Sequence, residues 1–176
     1  MITVLRLGHR CGRDARISTH VGLTARTLGA KHVVYSGDKD KKMMDSVRDI
    51  DERWGPSIKV SYEKNWKKVI ENFEGVKVHL TIYGLLVQDK IDEIRDKSKE
   101  KGDILIIVGG EKVPGFVYQN VDYNIAITSQ PHSEIAALAI FLDMLQQGKE
   151  LEKEFTGGKI IVNPCVNGKN VCQKKS

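Results

Sequence analysis

At 176 residues, 40% hydrophobic and 29% charged, the chain has the length and composition of one globular domain with a sizeable core, which excludes a disulfide-stapled miniprotein and a fibrous repeat. No apolar run approaches bilayer-spanning length and no charged leader precedes an apolar stretch, so a cytoplasmic protein without a membrane partner is expected. The net charge of +5 and pI near 9.0 permit a polyanionic partner without requiring one.

In chain order, strand-like and helix-like segments alternate. Ile2 to Leu7 predicts a strand, and Thr19 to Leu28 a helix capped by Ser18 or Thr19 and stopped by Gly29. His32 to Tyr35 is a strand. Asp38 opens a helix with Met43, Val47, Ile50 and Trp54 on one face, ended by Gly55-Pro56. Ile58 to Tyr62 is a strand, and Asn65 to Phe73 a helix with Trp66, Val69, Ile70 and Phe73 inward. Val76 to Tyr83 and Ile104 to Val108 are strands around a helix marked by Val87, Ile91 and Ile94, whose charged end, Arg95 to Lys101, reads as a solvated face. Tyr123 to Ser129 is a strand. Ser133 to Gln147 is the strongest helix, with Ser133 as N-cap and Gly148 as stop. Lys159 to Pro164 and Asn170 to Gln173 form a hairpin around Asn167-Gly168. This alternation predicts an α/β domain with a largely parallel sheet over residues 1–150, and a C-terminal extension with a hairpin over 151–176.

The run Ile104 to Val108 organises the rest, because a continuous apolar strand suits a sheet covered on both faces, and it delivers Gly109-Gly110 at its carboxyl end. Without a Cβ at either position, a small molecule can approach the backbone there. The phosphate loop of nucleotide hydrolases and the glycine fingerprint of dinucleotide enzymes are both missing. No serine sits in a nucleophile elbow, and neither the histidines nor Cys11, Cys165 and Cys172 show metal-ligand spacing, so no metal is expected. His32 and His79 read as packed residues; His132 lies in a polar loop. The remaining signal is arginine. Arg6, Arg10, Arg13, Arg16 and Arg26 are five of the chain's eight arginines, with Asp14 as the one acid among the first 26 residues. Planar guanidinium forks beside a strand-end pocket suit a nucleic-acid backbone, and the contacts expected are Arg6, Arg10, Arg13 and His20.

Gly109-Gly110-Glu111-Lys112-Val113-Pro114-Gly115 and the run from Thr128 to Ala139 resemble the second and third motifs of the SPOUT methyltransferases. The Arg13 to Val21 loop and the cysteine-bearing tail resemble those of the archaeal branch that methylates the ribose of tRNA cytidine 56. This resemblance implies a trefoil-knotted domain, a homodimer, tRNA as partner and S-adenosyl-L-methionine as cofactor. It places the cofactor among Leu85 and Leu86, then Gly109, Gly110, Glu111, Lys112, Val113 and Pro114, then Thr128, Ser129, Gln130, Pro131, His132, Ser133, Glu134 and Ile135. The catalytic expectation is Arg16, ahead of Arg26, which the helix has the means to bury. A base-methylating relative and a non-catalytic RNA-binding module are the alternatives. The all-round apolar run Ile135 to Leu142 also suggests a partner subunit. In the tail, a loop centred one residue beyond Asn167-Gly168 would set Cys165 opposite Cys172, and a bridge between them is expected on that register.

Overall fold

The computed structural model of the protein describes residues 1–110 and 112–173. Six parallel strands, β1 (Ile2–His9), β2 (His32–Gly37), β3 (Lys59–Tyr62), β4 (Val76–Leu86), β5 (Ile104–Val108) and β6 (Tyr123–Ala126), make one sheet in the order β3-β2-β1-β5-β4-β6. The helices are α1 (Ala15–Thr27), α2 (Lys41–Trp54), α3 (Trp66–Glu71), α4 (Val87–Lys101), α5 (Gly115–Gln119) and α6 (Glu134–Gln146). A separate antiparallel hairpin joins β7 (Ile160–Asn163) and β8 (Asn170–Gln173).

The unbroken apolar run of β5 has the expected cause. Its five residues are all buried, Ile104, Ile106 and Val108 in the core beneath α1, α2, α4 and α6, and Leu105 and Ile107 in the smaller core beneath α3 and α5. A strand buried on both faces has no solvent side on which to place polar residues. Ser133 Oγ accepts from Ala136 N at 3.1 Å and Asp40 Oδ1 from Met43 N at 2.9 Å, so α6 and α2 start where a side-chain acceptor meets their free N–H groups.

The sheet is irregular at two places that matter. Along β1 and β2 the register slips between Arg6 and His9, and along β4 and β6 it slips between Leu80 and Leu85, so that Thr81 to Gly84 leave the ladder. Gly84 permits this excursion, because a Cβ there would lie 2.5 Å from the Asn124 backbone. Strands β1 and β4 flank β5. Both distortions therefore frame the Gly109-Gly110 turn and open the sheet's carboxyl edge around it.

Three expectations are corrected. Helix α1 begins at Ala15, a turn before the expected cap, because Ser18 spends its hydroxyl on His9 Nδ1 at 2.9 Å and is fully buried. The five-residue α5 falls between the predicted elements and is too short to show periodicity. In the hairpin, Asn163 faces Asn170 and Ile161 faces Cys172, and Cys165 and Cys172 are free. Pro164 lacks the N–H that the next rung needs, so the loop spans Pro164 to Lys169 and Cys165 lies outside the ladder, its thiol donating to the Gly168 carbonyl at 3.3 Å.

Candidate active site

Two cavities meet at Gly110. The first, of about 480 Å³, is walled by His79 to Tyr83 from β4, by Gly109, Gly110 and Val113 from the turn, by Tyr118 from α5, and by Pro131, His132 and Glu134 ahead of and within α6. The second, of about 440 Å³, is lined by Leu7, Gly8, Arg10, Arg13, Trp66, Gly110, Lys112 and Pro114. At Gly110 an added Cβ would meet only the Arg6 guanidinium, at 3.8 Å. Its backbone is thus open to whatever bridges the two spaces.

The first cavity holds one polar network whose orientation can be worked out. Asn124 Nδ2 donates to the Tyr118 carbonyl at 2.9 Å, which leaves Asn124 Oδ1 as the acceptor facing His79 Nδ1, also at 2.9 Å. His79 therefore carries its proton on Nδ1, and its Nε2 is a lone-pair acceptor, buried and without a hydrogen-bond partner among the described residues. Burial pushes the His79 pKa below the ordinary imidazole value, so the ring stays neutral and that acceptor persists at neutral pH. Thr81 Oγ1 and the Tyr118 hydroxyl, 3.2 Å apart, add a second polar pair.

Arg6 lies behind the junction, its guanidinium 3.8 Å from the Cβ position of Gly110, and is 1% exposed. Its Nη2 lies 3.2 Å from Glu134 Oε1 and its Nε donates to Ser18 Oγ at 3.4 Å, whereas Nη1 is buried with no hydrogen-bond partner among the described residues. Burial draws its pKa down from the usual guanidinium value, while Glu134 and then Asp14 draw it back up. Arg6, expected among the contacts to a nucleic-acid backbone, is instead a desolvated cation at the sheet edge.

The other arginines separate by environment. Arg10 is half-exposed, with Nε 2.8 Å from Asp14 Oδ2, and its guanidinium holds the Asp14 carboxyl below the usual range. Arg13, Arg16 and His20 are exposed on the same loop and the first turns of α1. Arg26 is the opposite case. Its Nε lies 2.7 Å from Asp51 Oδ1, its Nη2 donates to the Gly55 carbonyl at 2.6 Å, and the Phe155 ring covers it at 4.5 Å. That corner lies among α1, α2 and the tail, away from both cavities, and the catalytic expectation for Arg26 finds no geometry to act through.

Of the expected cofactor residues, Gly109, Gly110, Val113, Pro131, His132 and Glu134 line the first cavity, and Lys112 and Pro114 the second. Leu85 and Leu86 instead lie past the β4 excursion, back in register with Ile125 and Ala126; the preceding residues, His79 to Tyr83, face the cavity. Ser133 caps α6, while Thr128, Ser129, Gln130 and Ile135 are not among the lining residues. Glu111 lies outside the described residues. His79, Asn124, Tyr118 and Trp66 were missed as site residues, since nothing in a single sequence separates a strand histidine or a helix tryptophan that packs from one that borders a cavity. Among the described residues, His9, Cys11 and Asp40 bring potential ligand atoms within 4.8 Å of one another, a trio that no sequence spacing signals.

A sheet that opens on glycines between two such cavities suits group transfer between two bound molecules. Residues 54–172, more than half of the chain, match the family model described as tRNA ribose 2′-O-methyltransferase, aTrm56. The chain belongs to that family. Among its relatives, the tRNA (cytidine(56)-2′-O)-methyltransferase of Pyrococcus horikoshii is 53% identical over 98% of this chain and 85% of that protein. The protein of the same description from Methanocaldococcus jannaschii is 49% identical over 99% of this chain and 98% of that one. Among solved structures, the A. aeolicus TrmH/SpoU tRNA modifying enzyme superposes with a TM-score of 0.57 at 18% identity, over 86% of this chain and 76% of that one. The SpoU methyltransferase AviRb from Streptomyces viridochromogenes, solved in complex with AdoMet, gives 0.58 at 16% identity, over 84% of this chain and 57% of that one. At these identities the structural likeness establishes the fold, an α/β domain built on a parallel sheet with the hairpin appended, and the family match makes it that of a SPOUT methyltransferase.

Proposed function

We propose that this tRNA ribose 2′-O-methyltransferase acts on the 2′-oxygen of cytidine 56, with S-adenosyl-L-methionine as methyl donor. The observation that carries the reading is the junction at Gly110, where one polar-and-apolar cavity and one basic cavity share a backbone without a Cβ. The first cavity fits the cofactor, offering the Gly109-Gly110 backbone, apolar walls from Leu80, Val108, Val113 and Ile125, and the unpaired His79 Nε2 as an acceptor for an amino or hydroxyl group. When bound there, the cofactor supplies an electrophilic methyl group on a sulfonium.

The chain's own residues then have a modest task, since methyl transfer is an in-line displacement that chiefly needs alignment and loss of the hydroxyl proton. Arg10, Arg13 and Lys112 hold backbone phosphates at the mouth of the second cavity. Arg6 Nη1, a buried donor without a partner, offers a hydrogen bond to the ribose 2′-oxygen, stabilising the negative charge that grows as its proton leaves to water. Glu134 and Ser18 fix the guanidinium in place. Arg16, the arginine that the sequence favoured for this step, is exposed on the first turn of α1, whereas Arg6 is the side chain that approaches the Gly110 Cβ position, so Arg16 joins the tRNA-facing set with His20.

Incubating the protein with labelled S-adenosyl-L-methionine and unmodified tRNA transcript, then mapping the product by nuclease digestion, tests the proposal. A nuclease-resistant linkage after cytidine 56 is expected; a methylated base, or no transfer despite cofactor binding, would refute it.

We also infer a homodimer through α6. Ala137, Leu138, Phe141, Leu142 and Leu145 are buried within the protomer, while Ile140 is 43% exposed on the outer side. Light scattering at micromolar protein should give twice the protomer mass, and Ile140→Asp should halve it. No described helix is long and apolar enough to cross a membrane, and a tRNA substrate suits the cytoplasm.

A further inference from the structure

We propose that the second cavity is the seat of the target nucleoside itself, with Trp66 as the surface on which its displaced base stacks. This rests on the ribose-methylation reading and adds a recognition element to it. If the methyl donor occupies the first cavity, the 2′-oxygen must sit at the Gly110 junction, and the base attached to that ribose then extends into the adjoining space, lined by Leu7, Trp66 and Pro114. Phosphates alone would ask only for charge, which Arg10, Arg13 and Lys112 supply; an indole beside three cations is the combination that suits a base together with its backbone. A base packed within folded RNA cannot reach such a recess without leaving its stack, so binding here entails its extrusion.

Trp66 is built for this use. It opens α3, whose Ile70 is fully buried while Trp66 is half-buried. Phe116 meets the ring edge-to-face, with centroids 5.6 Å apart and planes at 75°, a contact that orients the indole while leaving it half-buried. Lys67 Nζ sits 5.8 Å from the Trp66 centroid and 5.0 Å from that of Phe116, adding positive charge beside the recess. Both aromatic neighbours come from short helices of the smaller core, on the side of the sheet away from α6.

The experiment compares Trp66→Leu, which keeps an apolar side chain against Phe116 but removes the π-face, with Trp66→Phe, which retains one. Steady-state methylation of tRNA transcript, cofactor affinity by calorimetry and thermal melting are measured for each. Loss of one base-stacking contact should raise KM for tRNA by about tenfold to a hundredfold in the Leu protein, with cofactor affinity and melting temperature unchanged, and the Phe protein should recover most of that loss. An unchanged KM in the Leu protein overturns the proposal. So does a Phe protein no better than Leu, or a parallel loss of cofactor affinity and melting temperature, since the indole would then be a packing anchor. A wild-type protein that fails to methylate tRNA defeats the ribose-methylation reading instead, and is told apart because it fails before any substitution is made.

Discussion

Arg6 and Arg26 are both buried arginines paired with a carboxylate, yet they sit in corners of opposite character. At the α1–α2 corner, Arg26 has Asp51, the Gly55 carbonyl and the Phe155 ring around it, and Asp51 is further satisfied by Ser57 N at 2.9 Å. At the sheet's carboxyl edge, Arg6 has Glu134 and Ser18 but keeps Nη1 without a partner, against a glycine whose missing Cβ leaves space. A buried cation with no fully buried nitrogen left unpaired, as at Arg26, holds structure together; one with such a nitrogen beside a cavity costs stability unless a ligand pairs it. Completeness of hydrogen bonding, rather than burial or charge, separates the two.

The sharpest way to break this comparison is to truncate each arginine in turn. Arg26→Ala leaves Asp51 buried beside a void and should cost about 3–5 kcal/mol, lowering the melting temperature by roughly 6–20 °C. Cofactor affinity, measured well below the transition, should persist; its loss at a temperature where the protein is folded would put Arg26 back in the site. Arg6→Gln should act in the reverse sense, because Glu134, 21% exposed, can turn to water. Its single-turnover methylation rate should fall by about a hundredfold or more, with cofactor affinity near wild type. Arg16→Ala is the companion measurement: if it slows the chemical step while Arg6→Gln does not, the sequence-based choice was the better one.

Much of this was legible before any coordinates. The buried run of β5, the glycine turn at its end, the N-cap Ser133 and the alternation of elements follow from local chemistry, and the structure retains them. What sequence could not show depends on long-range register. Arg6 read as one of five clustered arginines available to RNA, because its carboxylate partner, Glu134, lies 128 residues away. His79 looked like ordinary packing until Asn124 fixed its tautomer across the β4–β6 ladder. The cysteine pairing failed on register, because the loop is centred between Val166 and Asn167, about two residues before the expected position, so Cys172 faces Ile161 rather than Cys165.

The exposed arginines sharpen the comparison from the other side, with a smaller effect. Arg10 and Arg13 border the second cavity in contact with solvent. Replacing either by Ala should weaken tRNA binding and lower the slope of log affinity against log salt by about one phosphate contact, with turnover at saturating tRNA nearly unchanged. Filter binding across a salt series decides it. An unchanged slope in both variants would show that the phosphates lie elsewhere.

The smallest effect is expected at Glu150, the carboxylate counterpart of an incompletely satisfied Arg6. Glu150 is 6% exposed, and among the described residues neither of its buried carboxylate oxygens has a hydrogen bond of good geometry, the nearest candidate being the Asp143 carboxyl. Burial first, and then the neighbouring Asp143, push its pKa above the ordinary value of 4.5. A folded-state pKa above the unfolded one means that the protonated carboxyl is the form the fold prefers. The contribution of this group is therefore fully favourable below the unfolded pKa and is lost as pH rises through the folded value. Glu150→Gln removes the ionisation while keeping the shape, so it should stabilise the protein by roughly 1 kcal/mol at neutral pH, an advantage that vanishes by about pH 4, where both states of the wild type are largely protonated. Melting curves at the two pH values check it. No cavity of the proposed active site includes Glu150, so methylation should be unaffected, and a Gln protein that melts lower at neutral pH would mean that the charged carboxylate is held by a contact that the fold itself supplies.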